Sequence, residues 1–213
     1  LRDDRTIRVT DMAFDEDVLL HQDRLLTALL LTVLGAALVL NTSAETMIAS
    51  NYREAQEGAY AADAAFERTL AELEGAGGWD PLLTGAVRSA FMDGSPGGQR
   101  ILSDGSVVDL TAIVNLANCA RVTPCSSAEM DRVTAERPWG ANNPRWQPYA
   151  WGRLAGSPYY LVVLVGDDGA EDDADPLADG LGTAPGAGVL EVRAQSLGPH
   201  GSHHRIDATL GRD

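Results

Sequence analysis

Twenty consecutive uncharged residues, Leu25 to Ala44, separate Arg24 from Glu45, and most are leucine, alanine or valine. A helix rises about 1.5 Å per residue, so about 20 such residues span the hydrocarbon core of a bilayer. The strongly apolar part, Leu25 to Leu40, is shorter, which places Asn41-Thr42-Ser43 at the polar interface. Arg2, Arg5, Arg8 and Arg24 precede the segment and the next arginine is Arg53. The positive-inside tendency then predicts a cytoplasmic N-terminus and a translocated remainder, residues 45–213. Two other readings compete, a cleaved secretory signal ending near Asn41-Thr42-Ser43-Ala44 and a buried helix of a soluble core.

The pattern changes period without stopping. Ile48, Tyr52, Ala55, Ala59, Ala62, Phe66, Leu70 and Leu73 recur at steps of three and four, which predicts one narrow stripe on an α-helix. Between them stand Arg53, Glu54, Glu57, Asp63, Glu67, Arg68, Glu72 and Glu74, a solvated set. No proline interrupts Leu25 to Asp80, and Gly75-Ala76-Gly77-Gly78 is a stop signal. One continuous helix from Leu25 to Glu74 would be about 75 Å long. Its first half asks for lipid or other apolar helices; its second half asks for a small domain to pack on.

These residues resemble a known family. The runs Leu26-Thr27-Ala28-Leu29-Leu30-Leu31-Thr32, Glu45-Thr46-Met47-Ile48-Ala49-Ser50-Asn51-Tyr52-Arg53-Glu54-Ala55-Gln56-Glu57 and Tyr60-Ala61-Ala62-Asp63-Ala64-Ala65-Phe66-Glu67 are similar to the N-terminal region of PilX-like minor pilins. The resemblance covers Leu25 to Glu74 and is looser elsewhere. It implies a type IV pilin fold, a long N-terminal helix with an antiparallel sheet on its distal half. It also implies a minor component of a type IV pilus or of the related type II secretion pseudopilus.

Two departures from the family pattern stand out. His21-Gln22-Asp23-Arg24 occupies the place where a glycine would direct a prepilin peptidase, so processing by that enzyme and the true start stay open. The glutamate that major pilins carry five residues into the mature helix is absent, and every nearby position is apolar. In a filament such a carboxylate neutralises a neighbour's terminal amine inside an apolar core, where a lone charge is costly. A subunit lacking it fits a tip or initiating position better than the repeating one.

Glycine and proline crowd residues 75–213, as loops and short strands require. A short helix is expected at Thr84–Met92, and strands at Val107–Val114, Tyr159–Val165, Val189–Ser196 and Arg205–Leu210. Tyr159–Val165 is almost wholly apolar and belongs in the sheet centre against the helix stripe. In the third candidate, Leu190, Val192, Ala194 and Ser196 should face a core, with Val189, Glu191, Arg193 and Gln195 opposite. Strands in succession without intervening helices give an antiparallel sheet and an α+β class.

The net charge is −15, from 31 acidic and 16 basic residues, and every basic side chain apart from histidine is arginine. Without clustered arginines such a surface repels phosphate, so no nucleic-acid partner is expected. Cys119 and Cys125, the only cysteines, would close a small disulfide loop in a translocated domain, the alternative being two free thiols. Seven carboxylates crowd residues 167–180. Asp173, Asp175 and Asp179 are candidate calcium ligands by their alternation, while a solvated acidic loop explains the same run. Calcium is the one cofactor these residues suggest. His200, His203 and His204 read as a turn into the last strand, adjacent histidines facing opposite sides. No nucleophile elbow, phosphate loop or zinc-protease motif is present, so no enzyme is expected.

The expected organisation is a leader or cytoplasmic segment (1–24), a transmembrane half-helix (25–44), an amphipathic half-helix (45–80) and a sheet domain (81–213). The expected function is that of a minor pilin, held in the inner membrane with its C-terminal domain in the periplasm and then taken into a pilus. Its partners would be other pilins or pseudopilins. A tip pseudopilin of type II secretion and a bitopic periplasmic binding module are the alternatives.

Overall fold

The computed structural model describes residues 16–171, 173–180 and 187–212, so the first 15 residues of the expected leader lie outside the described ones. Its architecture is α+β and pilin-like, a long N-terminal helix and a four-stranded antiparallel sheet. Helix α1 is assigned without a break from Glu16 to Leu73. The chain divides into two compact units at Asn51/Tyr52. Among the described residues the first is helix, with every side chain from Leu20 to Asn51 exposed.

The second unit holds the rest of α1, then α2 (Asp80–Leu83), a hairpin of β1 (Gln99–Ile101) and β2 (Val107–Asp109), α3 (Leu110–Cys119) and α4 (Ser127–Met130). Strands β3 (Gln147–Arg153), β4 (Tyr160–Asp167), β5 (Val189–Leu197) and β6 (His203–Gly211) follow as an antiparallel meander in that spatial order. β4 is buried at all of its positions, as its unbroken apolar run predicts. One face of the sheet, with Tyr159, Leu161, Val163, Val165, Leu190, Val192 and Ala194, packs on Ala61, Ala65 and Leu73 of α1 and on Leu82 and Leu83 of α2. Trp151, Tyr160, Val162 and Leu164 of the other face pack with Leu102 and Leu110, flanked by Ile113, Val114 and Ala117 of α3. The alternation expected along β5 holds, with Leu190, Val192, Ala194 and Ser196 all buried.

The helix stripe is rotated from its expected position. Gly58, Ala61, Ala62, Ala65, Thr69 and Leu73 are buried, whereas Ile48, Tyr52, Ala55 and Ala59 are exposed. Small residues won over large ones because the sheet comes close: the Ser196 hydroxyl donates to the Gly58 carbonyl at 2.6 Å, and a Cβ on Gly58 would meet the His204 ring at 2.3 Å.

Two expected elements are corrected. Val107–Val114 is not one strand, because Asp109 accepts from the amides of Thr111 (2.9 Å) and Ala112 (3.2 Å) and so caps a helix beginning at Leu110. Thr84–Met92 is not a helix. Gly85, at φ +70°, turns the chain after α2, and Ser89–Asp93 then runs beside β3, its backbone bonded to Tyr149 and Trp151. That segment covers the β3 edge of the sheet. β3 has no counterpart among the expected strands, since Pro148 and the register shift between Pro148 and Ala150 hide its alternation.

Candidate functional site

Among the described residues, nothing packs on the apolar surface of the first unit. Leu25, Leu26, Leu29, Leu30, Leu31, Val33, Leu34, Leu38, Val39 and Leu40 are each 58% exposed or more. The polar side chains within this stretch are satisfied by the helix itself. Thr27 donates to the carbonyl of Asp23 (2.7 Å), Thr32 to Ala28 (2.8 Å), Thr42 to Leu38 (2.9 Å) and Ser43 to Val39 (2.8 Å). Hydroxyls returned to the backbone four residues earlier need no water. The helix is long and apolar enough to cross a membrane.

Residues 18–67 match the family model described as PilX N-terminal. The match covers 50 of 213 residues, about a quarter of the chain, and lies wholly within α1. Over that stretch the chain is similar to PilX-like type IV pilins, and the long apolar helix fits the likeness. No curated protein and no solved structure gives a significant match to the chain.

The distal part of α1 is tied to the sheet by polar as well as apolar contacts. Tyr159 donates its hydroxyl to the Glu54 carbonyl at 2.5 Å, Ser196 bonds Gly58, and Tyr149 donates to Glu72 at 3.1 Å. Burial, the bond to Glu72 and its charge all raise the Tyr149 pKa, so this hydroxyl stays protonated and donating. His203 and His204 do face opposite sides of β6, the first reaching Gln195 and the second lying over Gly58.

Beyond the helix, a disulfide joins Cys119, at the end of α3, to Cys125. Around it Arg121 bonds Glu129 and the Pro124 carbonyl, and Glu129 in turn caps α4 by accepting from Ser126.

The acidic β4–β5 connection divides into two kinds of carboxylate. Asp173 accepts from the Asp175 amide (2.9 Å) and Asp175 from the Leu177 amide (3.2 Å), both at the surface. Asp179 is buried, accepting from the Gly188 amide (2.6 Å) and from Arg212 (3.2 Å). These three calcium candidates are therefore engaged in turns and an ion pair. Among the described residues no three His, Cys, Asp or Glu side chains stand close enough together to hold a metal ion.

Asp167 and Glu171 differ. They are 2% and 1% exposed, and Asp167 Oδ1 and both Glu171 carboxylate oxygens are buried without a hydrogen-bond donor. Burial first, then repulsion from Glu171, pushes the Asp167 pKa up to about 8. Burial also raises Glu171, against an opposing backbone contact at Gly180. On the neighbouring strand, burial and repulsion from Asp168 raise Glu191 to about 7, with Arg193 opposing. The sequence places both buried acids inside the acidic run, yet nothing local distinguishes them from their solvated neighbours.

Proposed function

We propose that this chain is a minor pilin of a type IV pilus, held in the inner membrane by α1 with its sheet domain in the periplasm and then transferred into the filament. One observation carries the reading. The large apolar side chains from Leu25 to Leu40 are all exposed, and the hydroxyls of Thr27 and Thr32 among them are already satisfied by the helix. Such a surface needs a second apolar environment, and a bilayer and a bundle of pilin helices both provide one. Because both are apolar, moving from one to the other changes little hydrophobic free energy. The absence of a glutamate among the first apolar residues favours a tip or initiating position over the repeating one. The role is structural rather than catalytic.

Site-specific cross-linking tests this. The chain's two cysteines are paired with each other, so Ala36→Cys supplies a single reactive thiol within the apolar stretch. In cells assembling pili it should capture other pilins through their N-terminal helices. Capture of type II secretion components instead would reassign the chain to a pseudopilus. Capture of no pilin-like subunit, with the protein stably in the membrane, would leave a solitary anchored module and overturn the proposal.

A further inference from the structure

The two edges of the four-stranded sheet differ. Along β3, Pro148, a shifted register and the backbone of Ser89–Asp93 close the outer side. Strand β6 has none of these devices. Its register with β5 runs unbroken over nine residues, without proline, and residues 203, 205, 207, 209 and 211 are exposed.

The phase of the β5–β6 ladder is fixed at both ends. The Gly198 amide donates to the Ser202 carbonyl at 2.8 Å, and the Arg212 amide to the Gly188 carbonyl at 2.8 Å. Bonded and non-bonded residues alternate in an antiparallel pair, so His204, Ile206, Ala208 and Leu210 are the ones that bond β5. The amides and carbonyls of His203, Arg205, Asp207, Thr209 and Gly211 therefore point away from the sheet. Among the described residues no other backbone segment pairs with them. On the side facing α1, Ile206 and Leu210 pack on the core but are only partly covered. On the other side Asp207 is shared by Arg193 (2.7 Å) and the more exposed Arg205 (3.0 Å), which leaves positive charge unmatched at this edge of an acidic protein.

A second copy of this chain does not fit there. Its β3 edge is already occupied by Ser89–Asp93. Two β6 strands paired antiparallel would turn one copy through a half-circle in the sheet plane. That turn reverses its part of α1, which runs along the sheet from Glu54 beside Tyr159 to Glu72 beside Tyr149. Two chains held by α1 in one membrane cannot be opposed in this way.

We propose that the β6 edge receives an extended strand from a different protein, which continues the sheet by main-chain hydrogen bonds. The strand places an apolar residue beside Ile206 and a carboxylate beside Arg205. Exclusion of a second copy rests on the membrane-anchored reading above; the open edge does not.

A photo-reactive benzophenone residue placed at His203 or at Thr209 of the full-length chain, in cells assembling pili, tests this. Adducts mapped by mass spectrometry should join both probes to one segment of one partner. The two attachment points should lie about six residues apart, the spacing of the probes, because paired strands advance residue for residue. Thr209→Pro removes only an outward N–H. It should keep the Tm within about 3 °C and cut capture by the His203 probe about 10-fold. Ala208→Pro removes a ladder bond to β5 and should lower the Tm by about 5 °C or more. Arg205→Glu should keep the fold and also weaken capture, and it decides the matter if Thr209→Pro does not fold. No adduct, adducts scattered over unrelated surfaces, adducts to a second copy or within the same chain, or capture unchanged by Thr209→Pro and Arg205→Glu would each overturn the proposal. Capture of pilin helices through Ala36 reads the filament role separately, so either can fail without the other.

Discussion

Gly58 and His204 occupy each other's space. The His204 ring lies where a side chain on residue 58 would begin, 2.3 Å from an ideal Cβ, and Tyr159 approaches the same point at 3.0 Å. This contact sets the rotation of α1 on the sheet in the second unit, and the first expectation comes from it.

Gly58→Val should destabilise the sheet domain by about 1–3 kcal/mol through overpacking, even though glycine is a poor helix former. In a His204→Ala background the space is free. There Gly58→Ala should be neutral or stabilising by up to about 1 kcal/mol, the helix-propensity gain, with Tyr159 shifting slightly. Chemical denaturation of the wild type, Gly58→Ala, His204→Ala and the double variant, followed by near-UV circular dichroism, gives the cycle; additive effects would show that the two positions do not interact.

Replacing both Cys119 and Cys125 by serine should lower stability by about 2 kcal/mol, the loop-closure value for so short a ring. The loss should be local. Amides of α3 and α4 should exchange faster, while those of β4 keep their protection.

The buried acids predict an unusual pH response. Asp167 titrates near pH 8 in the folded protein and near its ordinary range when unfolded, so the folded state binds the extra proton between those limits. A raised folded pKa means a contribution present in full below about pH 4 and lost as pH climbs to about 8. Glu191, raised to about 7, acts in the same direction over a narrower window. Asp104, held at about 2 by its bonds to Ser106, opposes both only in strong acid. Unfolding midpoints should therefore be higher at pH 5.5 than at pH 8.5, and Asp167→Asn should flatten the difference. A wild-type midpoint that rises with pH across this window would refute the assignment.

Leu34→Arg places a charge near the middle of the uncharged stretch, at a position 58% exposed. The substitution should cost about 3 kcal/mol on the insertion scale. The wild type should resist alkaline carbonate extraction and the variant should be substantially released, while Leu34→Ile behaves as wild type. Equal retention of all three would mean that this stretch does not anchor the protein.

Some of the molecule could be read directly from the residues. The Leu25–Ala44 stretch, the buried run that became β4 and the alternation along β5 are local patterns, and local patterns suffice because each states how many sides of an element must avoid water. The family resemblance rests on the same stretch of chain, and Cys119 and Cys125 left only one intramolecular pairing. Elsewhere, the partner decided. The periodicity of α1 located a stripe but not its rotation, since that depends on which small residues let Ser196 and His204 approach. Val107–Val114 has strand-forming residues throughout, and the Asp109 cap with the packing of α3 on the outer sheet face overrode that preference. Among seven neighbouring carboxylates, the chain alone could not say that Asp167, Glu171 and Asp179 are buried. Burial of a charge is a property of everything folded around it, and it comes into being only when β4, the Gly140–Asn142 turn and the acidic loop close on one another.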